Sequence, residues 1–164
     1  MTLQETLDMI KPSDKGYAAK AAKRWDAIAH PLHSLGKLED AVCKLAAIQK
    51  TERVKLEKKA LVIMCADNGV VEEGVTQTDN SVTAIVAENF LDKKTSVAVM
   101  AEKLGVDLFA FDVGMVKDTR VEKRKCAYGT ANLAKGPAMT REECIKTIET
   151  GINIVFELFL HSEI

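Results

Sequence analysis

The chain has 164 residues, 47% of them hydrophobic and 29% charged, and its 23 basic side chains are nearly balanced by 24 acidic ones. That length suits one domain burying about two-thirds of its unfolded surface and is too short for two full domains. The charge balance provides no field for nucleic acid. Neither the opening MTLQETLDMIKPSDKG nor any later run is apolar enough for a signal peptide or membrane span, so a cytoplasmic protein with no membrane partner is expected.

The first fifty residues read as helices. Leu3, Leu7 and Ile10 recur at helical spacing before Pro12. Ser13 or Asp14 can then cap a second helix, with Ala18, Ala21, Ala22, Trp25, Ile28 and Ala29 on one face, stopped by Pro31. A third helix places Leu35, Leu38, Val42, Leu45 and Ile48 at three- and four-residue steps behind Ser34 as N-cap. After the charged connector TERVKLEKK the period changes. ALVIMCA is a short, continuous apolar run, as expected of a strand covered on both faces in a parallel sheet, and VDLFAFDVG, from Val106 to Gly114, is a second. Between them SVTAIVAENFL and TSVAVMAEKLG read as helices, the latter ending at Gly105 in a C′ position.

Strand, helical crossover and strand make a βαβ unit, so the fold class is α/β: a Rossmann-like parallel sheet, incomplete at two strands, with an N-terminal helical arm. The expected division is an arm over 1–52 and a partial α/β domain over 53–164. DTRVEKRKCAYGTANLAKGPAMT reads as one long loop, and Thr140 with Glu143 has the spacing of a capping box that opens a last helix.

Cys43, Cys65, Cys126 and Cys144 form no CxxC pair and read as reduced, partly buried thiols. His30, His33 and His161 lack ligand spacing, so no metal site is expected.

In open α/β sheets, ligands bind where the loop leaves the carboxyl end of a strand. ADNGVVEEGVTQT is such a loop. Asp67 and Asn68 stand at the strand exit, Gly69 and Gly74 permit tight turns, and Gln77 and Thr78 supply neutral hydrogen-bonding groups before a helix. With Val82, Ile85 and Val86 as an apolar wall, these groups suit a flat, weakly polar molecule better than a phosphate. A solvated loop with turn glycines explains the same residues. Glu72 and Glu73 read as solvated charge. Asp112 is either a ligand carboxylate or the cap of the following turn. GTANLAKGPAM either brings backbone close to a ligand or docks on its own domain. RVEKRK reads as a charged surface run with some capacity for phosphate. The phosphate fingerprints GxGxxG and GxxxxGK[ST] are absent, and no Ser-His-Asp arrangement is available.

HPLHSLGKLE, CADNGVVEEGVTQT, SVTAIVAENF, the DVG at Asp112 to Gly114 and GTANLAKGPAMT, in this order and spacing, resemble the N-terminal half of the nicotinate-nucleotide-dimethylbenzimidazole phosphoribosyltransferase family over residues 1 to about 155. The resemblance implies transfer of phosphoribosyl from nicotinate mononucleotide to 5,6-dimethylbenzimidazole in cobalamin lower-ligand synthesis, by a cytoplasmic homodimer with no metal or organic cofactor. It also implies a base pocket lined by Asp67, Asn68, Gln77, Thr78, Val82 and Val86.

Val86 stands where some members have Gln and Asn68 where some have His, two positions that bear on base selectivity, and HPLHSLGKLE departs from the PPGSLGRLE form at Leu32 and His33, in the turn before the third helix. The family's GxGNT-type and RLGEG-type segments, the latter with the glutamate thought to act as base, have no counterpart here. No catalytic residue is therefore assigned. An N-terminal fragment inactive alone is expected; a non-catalytic remnant or the partner-dependent half of a split enzyme is the alternative.

Overall fold

A computed structural model of the chain describes residues 1–160. Two compact units form, one from Met9 to Glu57 and the other from Met1 to Asp8 together with the chain from Lys58 onward. Helix α1 (Leu3–Met9) is tied to the second unit near its start, where the Met1 amino terminus donates to Asn153 Oδ1 at 2.6 Å and Leu3 N–H to Glu149 Oε1 at 2.9 Å.

In the Met9–Glu57 unit, α2 (Lys15–Asp26) begins where Asp14 Oδ1 accepts from Gly16 N–H at 2.8 Å, which selects Asp14 over Ser13 as the cap. The helix stops at Asp26, well short of Pro31, so Ile28 and Ala29 lie beyond it. A residue before proline is pushed out of the α region, and His30 N–H instead closes a tight turn onto Ile28 O at 2.8 Å. Helix α3 (Lys37–Gln49) starts behind Gly36 at φ +51°, and Ser34 is not its cap. Its carboxylate cap comes from inside the helix: buried Glu39 accepts from Leu35 N–H at 3.0 Å and lies 3.4 Å from His30 Nε2.

The second unit is built on parallel strands β1 (Ala60–Ala66), β2 (Asp107–Gly114) and β3 (Glu122–Lys123), in the order β1-β2-β3. Helices α4 (Ser81–Leu91), α5 (Ser96–Lys103) and α6 (Arg141–Leu160) complete it. The sequence signals the first two strands almost to the residue. It does not signal β3, which lies inside the stretch read as loop. Two charged residues carry no periodicity; they become a strand only because they pair with Phe111 and Asp112, with Arg124 N–H reaching Asp112 O at 2.8 Å.

The caps follow local chemistry. Thr95 Oγ1 accepts from Ala98 N–H at 3.2 Å to open α5. Gly105, at φ +60°, closes it in a Schellman turn, donating to Glu102 O at 3.3 Å while Val106 N–H reaches Ala101 O at 2.9 Å. Thr140 and Glu143 form the reciprocal capping box of α6 at 2.7 and 3.1 Å.

Two apolar clusters sandwich the sheet. Cys65, Ala87, Ala110, Met115 and Val121 fill one side beneath α4, and Phe111, Ile154 and Leu158 fill the other beneath α6. Full burial of an aliphatic side chain such as Ile154 contributes about 1.5–3 kcal/mol. Both strands therefore deliver their carboxyl ends to one rim.

Candidate functional site

At that rim the register of β1 against β2 slips between Cys65 and Ala66, so that Ala66 pairs with Gly114. Gly114 O accepts two N–H groups, from Asp67 and from Gly129, each at 3.0 Å. Asp67 O in turn accepts from Thr130 N–H at 3.1 Å, and Gly69 N–H donates to Thr130 Oγ1 at 3.2 Å. The 129–132 segment is thus laced to the loop after β1 by backbone bonds. Gly69 permits this, because a Cβ there would lie 2.5 Å from Thr130 O. GTANLAKGPAM therefore docks on its own domain, and what its backbone approaches is Gly69.

Beside this junction lies a cleft of about 600 Å³, with walls from the ends of β1 and β2, the 126–131 and 137–140 segments and the first turns of α6. Ala66, Val113, Ala127, Pro137, Ala138 and Met139 make it largely apolar, and Thr130, Thr147 and Arg141 are among its polar contributions. Asp67 also lines it and is 2% exposed. Its Oδ2 accepts from Val116 N–H at 2.7 Å, while its Oδ1 is buried with no hydrogen-bond partner among the described residues. A cleft of this size and character takes an organic ligand through shape and apolar contact, oriented by few polar groups.

The six residues implied as the base pocket are not gathered in this cleft. Asp67 lines it. Asn68 is exposed at the start of a 3-10 helix, Gly69–Glu73, while Gln77 and Thr78 are exposed in the following loop. Val82 and Val86, each 38% exposed, lie on α4. The lining from Cys126 to Thr147 had one legible signal, the density of small residues in GTANLAKGPAM.

Asp112 serves the turn rather than a ligand: it is fully buried and its Oδ1 accepts from Gly114 and Met115 N–H at 3.2 and 2.8 Å. The RVEKRK run is not a free basic patch. Arg120 pairs with Glu88 and Asp92, Lys123 with Asp118, and Arg124 with Glu122 and Glu157, while Lys125 is buried against Asp112. All four cysteines are free thiols; Cys144 is exposed, and burial pushes the Cys65 thiol up, with the charges of Asp112 and Asp67 adding to it. His161 lies outside the described residues. Among the described residues, no group of three His, Cys, Asp or Glu side chains is arranged to hold a metal ion, and no helix is long and apolar enough to cross a membrane.

Glu72 and Glu73 are more than solvated charge. They clasp the docked segment, Glu73 Oε1 accepting from Asn132 Nδ2 at 2.6 Å and Glu72 Oε2 from Lys135 Nζ at 3.1 Å. Hydrogen bonds from Lys135 and then Asn132, with the Lys135 charge, hold the Glu72 carboxyl below its ordinary 4.5. A lowered carboxylate contributes above its unfolded value and stops contributing as pH falls through its folded one. Amide exchange across 130–135, corrected for intrinsic rate, is expected to stay flat from neutral pH down to the ordinary carboxylate value of 4.5 and to accelerate as pH falls below it. A flat profile through acid would remove the clasp from the account.

A phosphoribosyltransferase family model matches residues 10–161. The nicotinate-nucleotide-dimethylbenzimidazole phosphoribosyltransferase of Ruminiclostridium cellulolyticum is 47% identical over 161 residues, which are 96% of this chain and 46% of that protein. The protein of the same name from Clostridium tetani is 44% identical over 156 residues, 93% of this chain and 43% of that one. The crystal structure of the Thermus thermophilus phosphoribosyltransferase of that name superposes with a TM-score of 0.78 at 37% identity, over 84% of this chain and 43% of that one. This chain thus spans about half the length of the curated relatives it matches. With five ordered motifs, a parallel α/β sheet and these matches in agreement, the chain belongs to the nicotinate-nucleotide-dimethylbenzimidazole phosphoribosyltransferase family.

Proposed function

We propose that this chain holds the acceptor base of a phosphoribosyl transfer. In that reaction an azole nitrogen of 5,6-dimethylbenzimidazole forms a bond to C1′ of nicotinate mononucleotide, the bond from C1′ to nicotinate breaks, and the azole proton is lost to a base. The observation that supports this reading most directly is the largely apolar cleft at the carboxyl ends of two parallel strands. Its walls suit a planar heterocycle, and positioning the nucleotide against such a base is the part of catalysis they would supply. Asp67 is assigned to this cleft, and Asn68, Gln77, Thr78, Val82 and Val86, which do not line it, are assigned on the family resemblance alone as base contacts from the loop and α4. Homodimer assembly and residence in the cytoplasm belong to the same reading.

Calorimetric titration with 5,6-dimethylbenzimidazole tests it. Saturable binding is expected, abolished by Ala138→Trp, which fills the cleft, and weakened about fivefold by the pair Val82→Ser and Val86→Ser, an affinity change of about 1 kcal/mol. Binding that survives Ala138→Trp would move the base out of the cleft. Insensitivity to the α4 pair alone would remove only the α4 contacts. Tight nicotinate mononucleotide binding with no benzimidazole binding would replace the reading with a nucleotide module.

A further inference from the structure

Three arginines lie in the sheet unit, and two of them are committed to carboxylates. Arg120 pairs with Glu88 and Asp92, and Arg124 with Glu122 and Glu157. Arg141 is different. It lines the cleft from the first turn of α6, and among the described residues its guanidinium has neither a hydrogen bond nor an ion pair.

The carboxylates of the cleft are engaged elsewhere. Glu143 Oε2 accepts from Thr140 N–H at 2.7 Å in the capping box, and Asp67 is 2% exposed with Oδ2 held by Val116 N–H at 2.7 Å. Arg141 is thus the one cation lining the cleft among the described residues, and it is uncommitted. A guanidinium is a planar fork of donors, always charged and without an acceptor, which matches a carboxylate through two parallel hydrogen bonds.

The rest of the lining narrows the class of anion. Val113, Ala127, Pro137, Ala138 and Met139 offer apolar walls to a flat ring, and Thr130 and Thr147 add neutral hydroxyls. A single guanidinium offsets a single negative charge. A phosphate dianion would meet one cation and two carboxylates here, with no glycine-rich cradle of amides to offset the rest.

We propose that the cleft takes an aromatic carboxylate, its ring against the apolar walls and its carboxylate on Arg141. Nicotinate, the group that leaves in the transfer proposed above, is such an acid, so Arg141 binds the nicotinate end of the nucleotide. The proposal rests on the reading that the substrates of that transfer meet in this cleft, whose volume of about 600 Å³ holds more than one such ring.

Calorimetry on the whole chain compares nicotinate with nicotinamide, which has nearly the same shape and no charge. Nicotinate is expected to bind at least about fivefold more tightly, and Arg141→Gln to remove that preference while leaving nicotinamide unchanged. Arg141→Lys, a point charge without the fork, should keep only part of it. Lys146→Gln removes the same charge from an exposed position on α6 outside the cleft and should change nothing. Because the Arg141 guanidinium holds no other group, its variants should melt with wild type, which separates lost binding from lost folding. Absence of any preference for nicotinate, or a preference that survives Arg141→Gln, overturns the proposal. So does an equal loss in Lys146→Gln. An Arg141 dependence equally large for nicotinamide mononucleotide overturns it too, because the guanidinium would then read the phosphate. Arg141-dependent nicotinate binding without any binding of 5,6-dimethylbenzimidazole would uphold the carboxylate site and sink the base reading. Bound 5,6-dimethylbenzimidazole with no nicotinate preference would do the reverse.

Discussion

Gly69→Ala is expected to destabilise the sheet unit by about 2 kcal/mol, lowering the melting temperature by about 4–8 °C. The added Cβ would meet Thr130 O at 2.5 Å, Ala131 C at 2.7 Å and Asn132 N at 2.8 Å. All three are backbone atoms, so no side-chain rotamer relieves the clash, and the 129–132 segment must move. That segment is a wall of the cleft, so affinity for a ligand held there should fall together with stability. Gly136→Ala is the internal control, because a Cβ there meets nothing within 4 Å. Equal melting temperatures for the two variants would show that the loops are not in contact as described.

Lys125→Met is expected to cost more, about 3–5 kcal/mol, because it strips a buried carboxylate of its counter-charge. The Lys125 side chain is 8% exposed, and its Nζ lies 2.8 Å from Asp112 Oδ2, 3.1 Å from Asp118 Oδ1 and 2.9 Å from Met115 O. Its ammonium also sits 4.1 Å from the centre of the Tyr128 ring. Methionine keeps most of the volume and none of the charge, so the deficit reports the polar cluster rather than a cavity. Adding Asp112→Asn keeps the turn's acceptor oxygen and removes the unpaired charge, so the double variant should recover part of the loss. The double-mutant cycle isolates the pair. Burial pulls the Lys125 pKa down, but hydrogen bonds from its ammonium to Asp112 and Asp118, and their charges, outweigh that and hold it above the ordinary 10.5. A raised lysine contributes fully below its unfolded value and loses its contribution as pH rises through the folded one. Urea titrations should therefore show wild type losing its advantage over Lys125→Met only above about pH 10.5. A constant difference through that range would mean that packing, not charge, sets the cost.

These two sites mark the limit of local inference. β1 and β2, a cap at Ser13 or Asp14, the Thr140 cap and the Gly105 terminus are all legible, because each depends on residues within a few positions of one another: apolar runs, a side-chain oxygen two or three residues before an amide, a glycine that tolerates positive φ. The helix read as starting at Leu35 behind a Ser34 cap begins at Lys37 instead, and the Leu35 amide is taken by Glu39, inside the helix.

Long-range pairing left no such trace. β3 has two charged residues and exists by virtue of β2, and Gly69 looks like any turn glycine until Thr130, sixty-one positions later, is laid across it. Asp112 was equally consistent with ligand or cap from its position in the chain; its burial and its bonds to Gly114 and Met115 decided for the cap. Family, fold class and the rim where a site must lie were therefore written in the order of motifs. Which side chains line the cleft was decided by tertiary packing, because close approach of two loops depends on the absence of a Cβ at one point, and a linear pattern does not record what that absence is opposite.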